Sequence, residues 1–306
     1  MNAMNTCLRA WLAGTAALLA ACAAPARRTP AGELLVAVAQ PLTVPGDVAG
    51  NIDRMAPLVV EAARRGAGLV VFSECAVTGY DHKGAGAAAA AGLDHPALRR
   101  IDGLAAAHGI AIVAGLYERL DGKLHNTAVA FLPDGRRVVQ RKHLIMDPEK
   151  KAAPVVPGPR ERTPFEFRGF RIAILICADA GIPGIFEEIA RGGGDLVVLI
   201  TAGGGSTSMA LRQADLARPD VRAEYAAKSA QCLSKESIEQ AIRLDLAQAA
   251  CNQMGWDDAS GYYHGGGSSI IDRTGEVTAV IPYRLVLEHL GPQLAVGRVS
   301  RRPGAR

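Results

Sequence analysis

Arg171-Ile-Ala-Ile-Leu-Ile-Cys177, then Ile185-Phe-Glu-Glu-Ile-Ala-Arg191, then Leu196-Val-Val-Leu-Ile200, read in order as strand, helix and strand. The outer two are short apolar runs of the kind a buried strand needs. The same alternation extends in both directions. Upstream, Glu33-Leu-Leu-Val-Ala-Val-Ala-Gln40 is a strand that stops at Pro41. Asn51 to Arg65 has helical apolar spacing and ends at Gly66, and Gly68-Leu-Val-Val-Phe72 is a second buried strand. Pro96 to Ala107 reads as a helix closed by Gly109, and Ile110 to Tyr117 as a strand. Asn126 to Leu132 and Arg137 to Gln140 flank Pro133-Asp134-Gly135, which is hairpin chemistry. Ser268 to Asp272 and Glu276 to Ile281 flank Arg273-Thr274-Gly275 in the same way. The order predicts an α/β fold, with sheets covered by helices and hairpins supplying antiparallel strands.

Composition sets the limits. The chain has 306 residues, 49% hydrophobic and 21% charged, with a net charge of +4. That is an ordinary globular balance, ample for a core. Lys and Arg are scattered among Asp and Glu, and aromatics are 5%. A nucleic-acid partner is therefore not expected, since it needs a basic stripe or stacking platforms. No metal or cofactor is expected either. The cysteines form no CxxC pair, and HExxH, Walker and GxSxG motifs are absent. Gly84-x-Gly86-x-x-Ala89 mimics a dinucleotide fingerprint, but no strand leads into it. Gly203 to Arg243 holds a Gly-rich loop and then polar, helix-permissive sequence, and reads as an excursion from the core.

Polar residues at strand ends are the informative ones. Glu74 follows Leu69 to Phe72, Lys142 follows Val138 to Gln140, and Cys177 closes Ile172 to Ile176. In layered α/β folds, ligands meet the carboxyl ends of strands. Singly, each has a plain explanation: a turn acid, a solvated lysine, a small buried hydrophobe. Together they form a set, because a thiol needs a base to become a thiolate and a cation to hold it so. Cys75, next to Glu74, is the competing thiol. Strand alternation predicts that it faces away from the site Glu74 enters.

The motifs around these residues resemble those of the nitrilase superfamily of carbon–nitrogen hydrolases. They are Val71-Phe72-Ser73-Glu74 with Thr78-Gly79-Tyr80, and Asn126-Thr127-Ala128 with Arg141-Lys142-His143-Leu144. Leu175-Ile176-Cys177-Ala178-Asp179, then Pro183 and Gly194-Asp195, is the third. Asn252-x-x-Gly255 and Gly266-Gly267-Ser268 close the pattern, which covers Leu34 to Ile281. The resemblance implies a four-layer α-β-β-α sandwich over residues 33–306, often paired as a homodimer through a helical face. It implies Cys177 as nucleophile forming a thioester, Glu74 as general base and acid, and Lys142 with the backbone N–H of Ala178 as oxyanion donors. Glu149 would position the substrate, a small amide. A carbamoyl amide or a nitrile is the alternative substrate, and a binding lipoprotein that keeps the fold is the non-enzymatic one. Ser73, where a proline is usual, Ala178, where a bulkier residue is common, and Thr201-Ala202-Gly203-Gly204-Gly205 depart from the pattern and bear on pocket shape.

The first residues read as a targeting segment. Arg9 precedes an apolar run, Ala10 to Ala21, that ends in Leu19-Ala20-Ala21-Cys22. A basic start, a short apolar middle and small residues describe a secretory signal, and a cysteine in this place resembles a bacterial lipobox. Residues 1–21 would be the signal peptide, Cys22 the lipidated residue, and residues 22–32 a flexible tether. The chain would then be exported and anchored to a membrane. Ala23, in place of the usual retention Asp, points to the outer membrane, facing the periplasm. An export signal also implies an oxidising compartment, where a disulfide among Cys75, Cys232 and Cys251 could form.

Overall fold

The computed structural model describes residues 30–81, 83–203, 218–220, 233–257, 262–283 and 291–302. Strands β1 (Glu33–Gln40), β2 (Leu69–Val71) and β3 (Ala111–Leu120) run parallel and adjacent. Helices α1 (Val48–Arg64) and α3 (Leu98–His108) make the crossovers, with a short turn of helix, α2 (Ala85–Ala88), between them. Strands β4 (Lys123–Phe131) and β5 (Arg137–Arg141) extend this sheet as the expected antiparallel hairpin.

A second sheet repeats the plan. Helix α4 (Asp147–Ala152) leads toward strands β6 (Phe165–Phe167) and β7 (Phe170–Ile176), and α5 (Ile185–Arg191) crosses to β8 (Leu196–Thr201). Helix α6 (Lys235–Leu244) precedes β9 (Ala247–Asn252), so β7, β8 and β9 are again parallel neighbours. Strands β10 (Met254–Asp257), β11 (Tyr262–Ile271) and β12 (Val277–Tyr283) add antiparallel pairing beyond β9. Strand β13 (Gln293–Ser300) returns to pair with β1 in the first sheet. Sheet order is β13-β1-β2-β3-β4-β5 in one and β10-β11-β9-β8-β7-β6 in the other, with β12 on β11.

The layers follow from alternation along each strand. Leu34, Val36 and Val38 of β1 and Ile172, Ile174 and Ile176 of β7 belong to one core between the sheets. The other face of the first sheet, through Ala37, Ala39 and Val70, packs on Ile52, Met55, Val59, Leu98 and Ile101 of α1 and α3. The other face of the second sheet, through Ala173, Leu175 and Val197, packs on Ile185, Phe186 and Ile189 of α5. Helix, sheet, sheet, helix is the four-layer sandwich anticipated from the motifs. The end of the Gly203 to Arg243 stretch differs from the expected excursion. Its last part is α6, whose Ala241 is buried and whose end leads straight into β9.

Candidate active site

Strands β2, β5, β7, β8 and β9 all end on the same side of the sandwich, and each end delivers a polar group there. Past β2, the turn holding Glu74 lies flat on β3. A Cβ at Gly115 would stand 2.3 Å from Cys75 N and 2.8 Å from Glu74 Cα, so glycine there is what permits the approach. Glu74 is 1% exposed. Its Oε1 accepts from Lys142 Nζ and from Asn126 Nδ2, both at 2.7 Å. Its Oε2 accepts from Ala202 N at 2.8 Å. Burial pushes the Glu74 carboxyl up from its ordinary range; Lys142 pulls it down and Glu149 raises it again.

Lys142, fixed by its backbone N–H on Asn126 O at 2.8 Å, is also 1% exposed. Its ammonium donates to Glu149 Oε2 at 2.5 Å as well as to Glu74. Burial disfavours this charge, but Glu74, Cys177 and Glu149 outweigh it, and the pKa rises well above the usual lysine value. Glu149, on α4, is equally buried. Its Oε1 accepts from Asn126 Nδ2 at 2.8 Å and its Oε2 from Met146 N at 3.0 Å. The structure therefore brings Glu74, Lys142 and Glu149 into one cluster. A solvated loop position for Glu149 is ruled out.

Cys177 closes β7 and opens a single 3-10 turn, Cys177–Gly181. Its φ is +49°, a left-handed conformation that side chains other than glycine rarely adopt. The thiol is free and half-buried. Burial and the charge of Glu74 push its pKa up to about 12, against the pull of Lys142. The charges of Glu74 and Lys142 thus act directly on this sulfur. Ala178, the expected oxyanion donor, follows in the turn. The first N–H groups of such a turn lack intrahelical partners.

Several residues had no assigned role in the sequence. Asn126 bridges both glutamates, although its place in the Asn-Thr-Ala motif was visible. Asp179, fully buried, accepts from His143 N at 3.0 Å, Leu144 N at 2.8 Å and Arg162 Nη1 at 3.0 Å. It pins the chain after Lys142 to the turn after Cys177. The ring of Tyr80 stacks on Tyr117 with centroids 6.5 Å apart and meets His264 edge-on at 6.1 Å. Burial, Glu74 and Glu149 raise the Tyr80 phenol, which places that ring beside the cluster.

One expectation needs correcting. Cys75 does not face away from the Glu74 site. Strand β2 ends at Val71, so alternation does not reach residues 74 and 75, and Cys75 sits in the turn at φ +51°. Its thiol donates to Asn126 Oδ1 at 3.7 Å, on the same amide that holds Glu74. It is fully buried, and burial with Glu74 raises its pKa well above the usual thiol value. Cys75 is a free thiol rather than a disulfide partner. Cys22, Cys232 and the whole leader lie outside the described residues. Among the described residues, no cluster of three His, Cys, Asp or Glu is arranged to hold a metal ion.

Comparison with known proteins gives a consistent result. The family model for carbon–nitrogen hydrolase matches residues 35–284. A protein described as a hydrolase in the pqqF 5' region of Pseudomonas protegens is 32% identical over 163 residues, 52% of this chain and 55% of that protein. An aliphatic nitrilase of Rhodococcus rhodochrous is 34% identical over 123 residues, covering 36% of this chain and 34% of the nitrilase. An (R)-stereoselective amidase from a Pseudomonas species is 27% identical over 154 residues, 50% of this chain and 55% of the amidase. The chain thus spans about half, or less, of the length of these relatives. Among solved structures, an amidase from Nesterenkonia sp. superimposes with a TM-score of 0.70 at 22% identity, over 89% of this chain and 92% of that one. That likeness is one of fold.

Proposed function

The chain belongs to the carbon–nitrogen hydrolase family, and on that footing we propose that it hydrolyses a small amide through a thioester on Cys177. The observation that carries this reading is the buried cluster in which Lys142 joins Glu74 to Glu149, with its charges acting on the Cys177 thiol. Cys177 is protonated at rest, so Glu74 takes its proton as the sulfur attacks the carbonyl carbon. The negative charge that forms on the carbonyl oxygen is met by the Lys142 ammonium and the Ala178 N–H. Glu74 then returns the proton to the departing nitrogen, and the C–N bond breaks to leave the thioester. Glu74 next takes a proton from water, which attacks the thioester. The C–S bond breaks to release the acid, and Glu74 returns its proton to the sulfur, regenerating the thiol. Glu149 and Asn126 hold the ammonium and the base in place for both halves.

The test is a panel of short aliphatic amides, nitriles and N-carbamoyl compounds, read by ammonia release and by intact mass. An acyl adduct on Cys177 with amides, lost in Cys177→Ala, supports the reading and names the acyl group. Turnover confined to nitriles or to carbamoyl compounds assigns one of those substrates instead. No turnover and no adduct would favour a binding protein on this fold.

We also propose that residues 1–21 are a signal peptide, that Cys22 is acylated, and that residues 22–32 tether the hydrolase domain, 33–306, to the periplasmic face of an outer membrane. The support is the sequence Leu19-Ala20-Ala21-Cys22 behind a basic, apolar leader. Pairing of two copies is proposed on the family resemblance alone and is read by light scattering of the purified protein.

A further inference from the structure

We infer that Asn252 is a positioning residue for Glu74, acting through the segment Thr201-Ala202-Gly203; the inference rests on Glu74 being the base that serves Cys177. Asn252 ends β9, directly opposite Thr201 at the end of β8. It is 1% exposed, and its amide is used on every side. Oδ1 accepts from Thr201 Oγ1 at 2.8 Å and from Gly203 N at 2.9 Å. Nδ2 donates to Gly203 O at 3.0 Å and to Gly266 O at 2.6 Å. The side-chain amide therefore grips both the N–H and the C=O of Gly203, as a neighbouring strand would. Strand β8 has already ended at Thr201, and Asn252 prolongs its pairing by one rung.

Ala202 lies between the two residues so held, and its N–H donates to Glu74 Oε2 at 2.8 Å. Thr201 O accepts from Glu74 N at 3.3 Å, so the segment holds the glutamate by backbone and carboxylate together. Behind Asn252, Ser268 Oγ accepts from Asn252 N at 3.0 Å and from Gln40 Nε2 at 2.5 Å. That arrangement fixes Asn252 from the far side. The Ala202 N–H held in this way also lies close enough to the Cys177 sulfur to pull its pKa down.

Glu74 is faced by Lys142 past β5, Glu149 on α4, Cys177 past β7, and Cys75 and Tyr80 of its own loop. Asn126 of β4 adds a neutral amide. The Ala202 N–H is the contact that Asn252 controls. A donor to a carboxylate favours its charged form, so a misplaced donor raises the pKa. Loosening Asn252 should therefore move the loss of base function to higher pH.

The experiment compares the full chain with Asn252→Ala, Thr201→Val and Thr201→Ser across pH. One readout is the rate of Cys177 alkylation by iodoacetamide, located by peptide mass. The other is kcat and KM on an amide that the panel above finds to be turned over. Asn252→Ala and Thr201→Val should shift the acidic limb of both profiles upward by about half a unit or more. They should lower kcat about tenfold, well inside the ~10²-fold that remote misplacement can cost, and leave KM within about twofold. Thr201→Ser, which keeps the hydroxyl, should restore the wild-type limb. A folded Asn252→Ala whose limb coincides with wild type overturns the inference, as does a loss carried by KM alone. Where Asn252→Ala does not fold, Thr201→Val decides on the same criteria. Alkylation requires no substrate, so inactivity on every amide sinks the activity reading while the limbs still decide the role of Asn252. A wild-type alkylation profile with no acidic limb sinks the Glu74 reading and the inference with it.

Discussion

Lys142 is shared by two buried carboxylates, Glu74 and Glu149, so one cation serves both. Burial and the charge of Glu74 push the neighbouring thiol's pKa up. Removing Lys142 would leave two buried glutamates without their cation. We expect Lys142→Ala to lower turnover by on the order of 10² or more, the scale of losing an oxyanion donor. Near-normal initial rates would remove Lys142 from the mechanism. Stability should also fall, by about 3–5 kcal/mol, because breaking a buried pair strands the partner charge. The thiols give a second prediction. Cys177 is half-buried and Cys75 fully buried, so limited alkylation should label Cys177 first, with activity lost in step. With a pKa near 12, labelling of Cys177 should keep rising above pH 9 rather than level off. Labelling of Cys75 that tracked the loss of activity would sink the assignment. Glu74, Lys142 and Cys177 stood out in the sequence because each lies at or just past the end of a strand. Asn126 and Asn252 were visible in motifs but silent about role, since an amide's work depends on partners far along the chain.

At the scale of elements, the site is a set of strand ends, and its precision depends on what ties those ends together. Asp179 does this for β5 and β7, by accepting two backbone N–H groups from the Lys142 loop and pairing with Arg162. Both members of that ion pair are almost fully buried, with side chains 4% and 0% exposed. Asp179→Ala would strand the Arg162 charge and free the loop. A stability loss of about 3 kcal/mol or more by urea titration is expected, with kcat falling more than KM rises. A surface-like loss below about 0.5 kcal/mol would contradict the clamp. The parallel strands at the centre of each sheet were readable as apolar runs. Strand β9, Ala247-Gln-Ala-Ala-Cys-Asn252, was not, because alanine is a poor strand former. Pairing with β8 on one edge and β11 on the other makes it a strand. The Glu74–Cys75 turn was misjudged for a related reason. Alternation holds only while the ladder lasts, and β2 is short.

For the whole molecule, the two sheets bury their inner faces against each other and leave the polar cluster of Glu74, Lys142 and Glu149 to one end. The core can thus be largely apolar, with the buried Gln40–Ser268 pair between the sheets, while the charged cluster sits past the strand ends. The layer order was legible because helices and strands alternate. The pairing of β13 with β1 was not, as it joins opposite ends of the chain. The leader belongs to this scale too. If Cys22 carries acyl chains, at ~0.8 kcal/mol per buried CH₂ more than one chain gives firm anchoring. Changing Cys22 to Ser should then move the protein from the membrane fraction to the soluble one with its activity intact. Equal partitioning of both forms would refute the lipobox reading.

The left-handed backbone at Cys177 has a practical corollary for anyone wishing to capture a bound substrate. Alanine is the habitual replacement for a nucleophile, and in most positions it outlasts glycine by roughly 0.5–1 kcal/mol. At a φ of +49° the ranking should turn over. Any Cβ there is held against its preference at a cost of roughly 1–2 kcal/mol, which glycine escapes. Cys177→Gly should therefore melt no earlier than Cys177→Ala in paired thermal scans. An alanine variant that outlasts it by the usual margin would show that the native chain carries no such tension. If the order does invert, the glycine form is the sturdier template for soaking intact amides, and the wild-type chain keeps the Cys177 sulfur in place at a standing cost to its own durability.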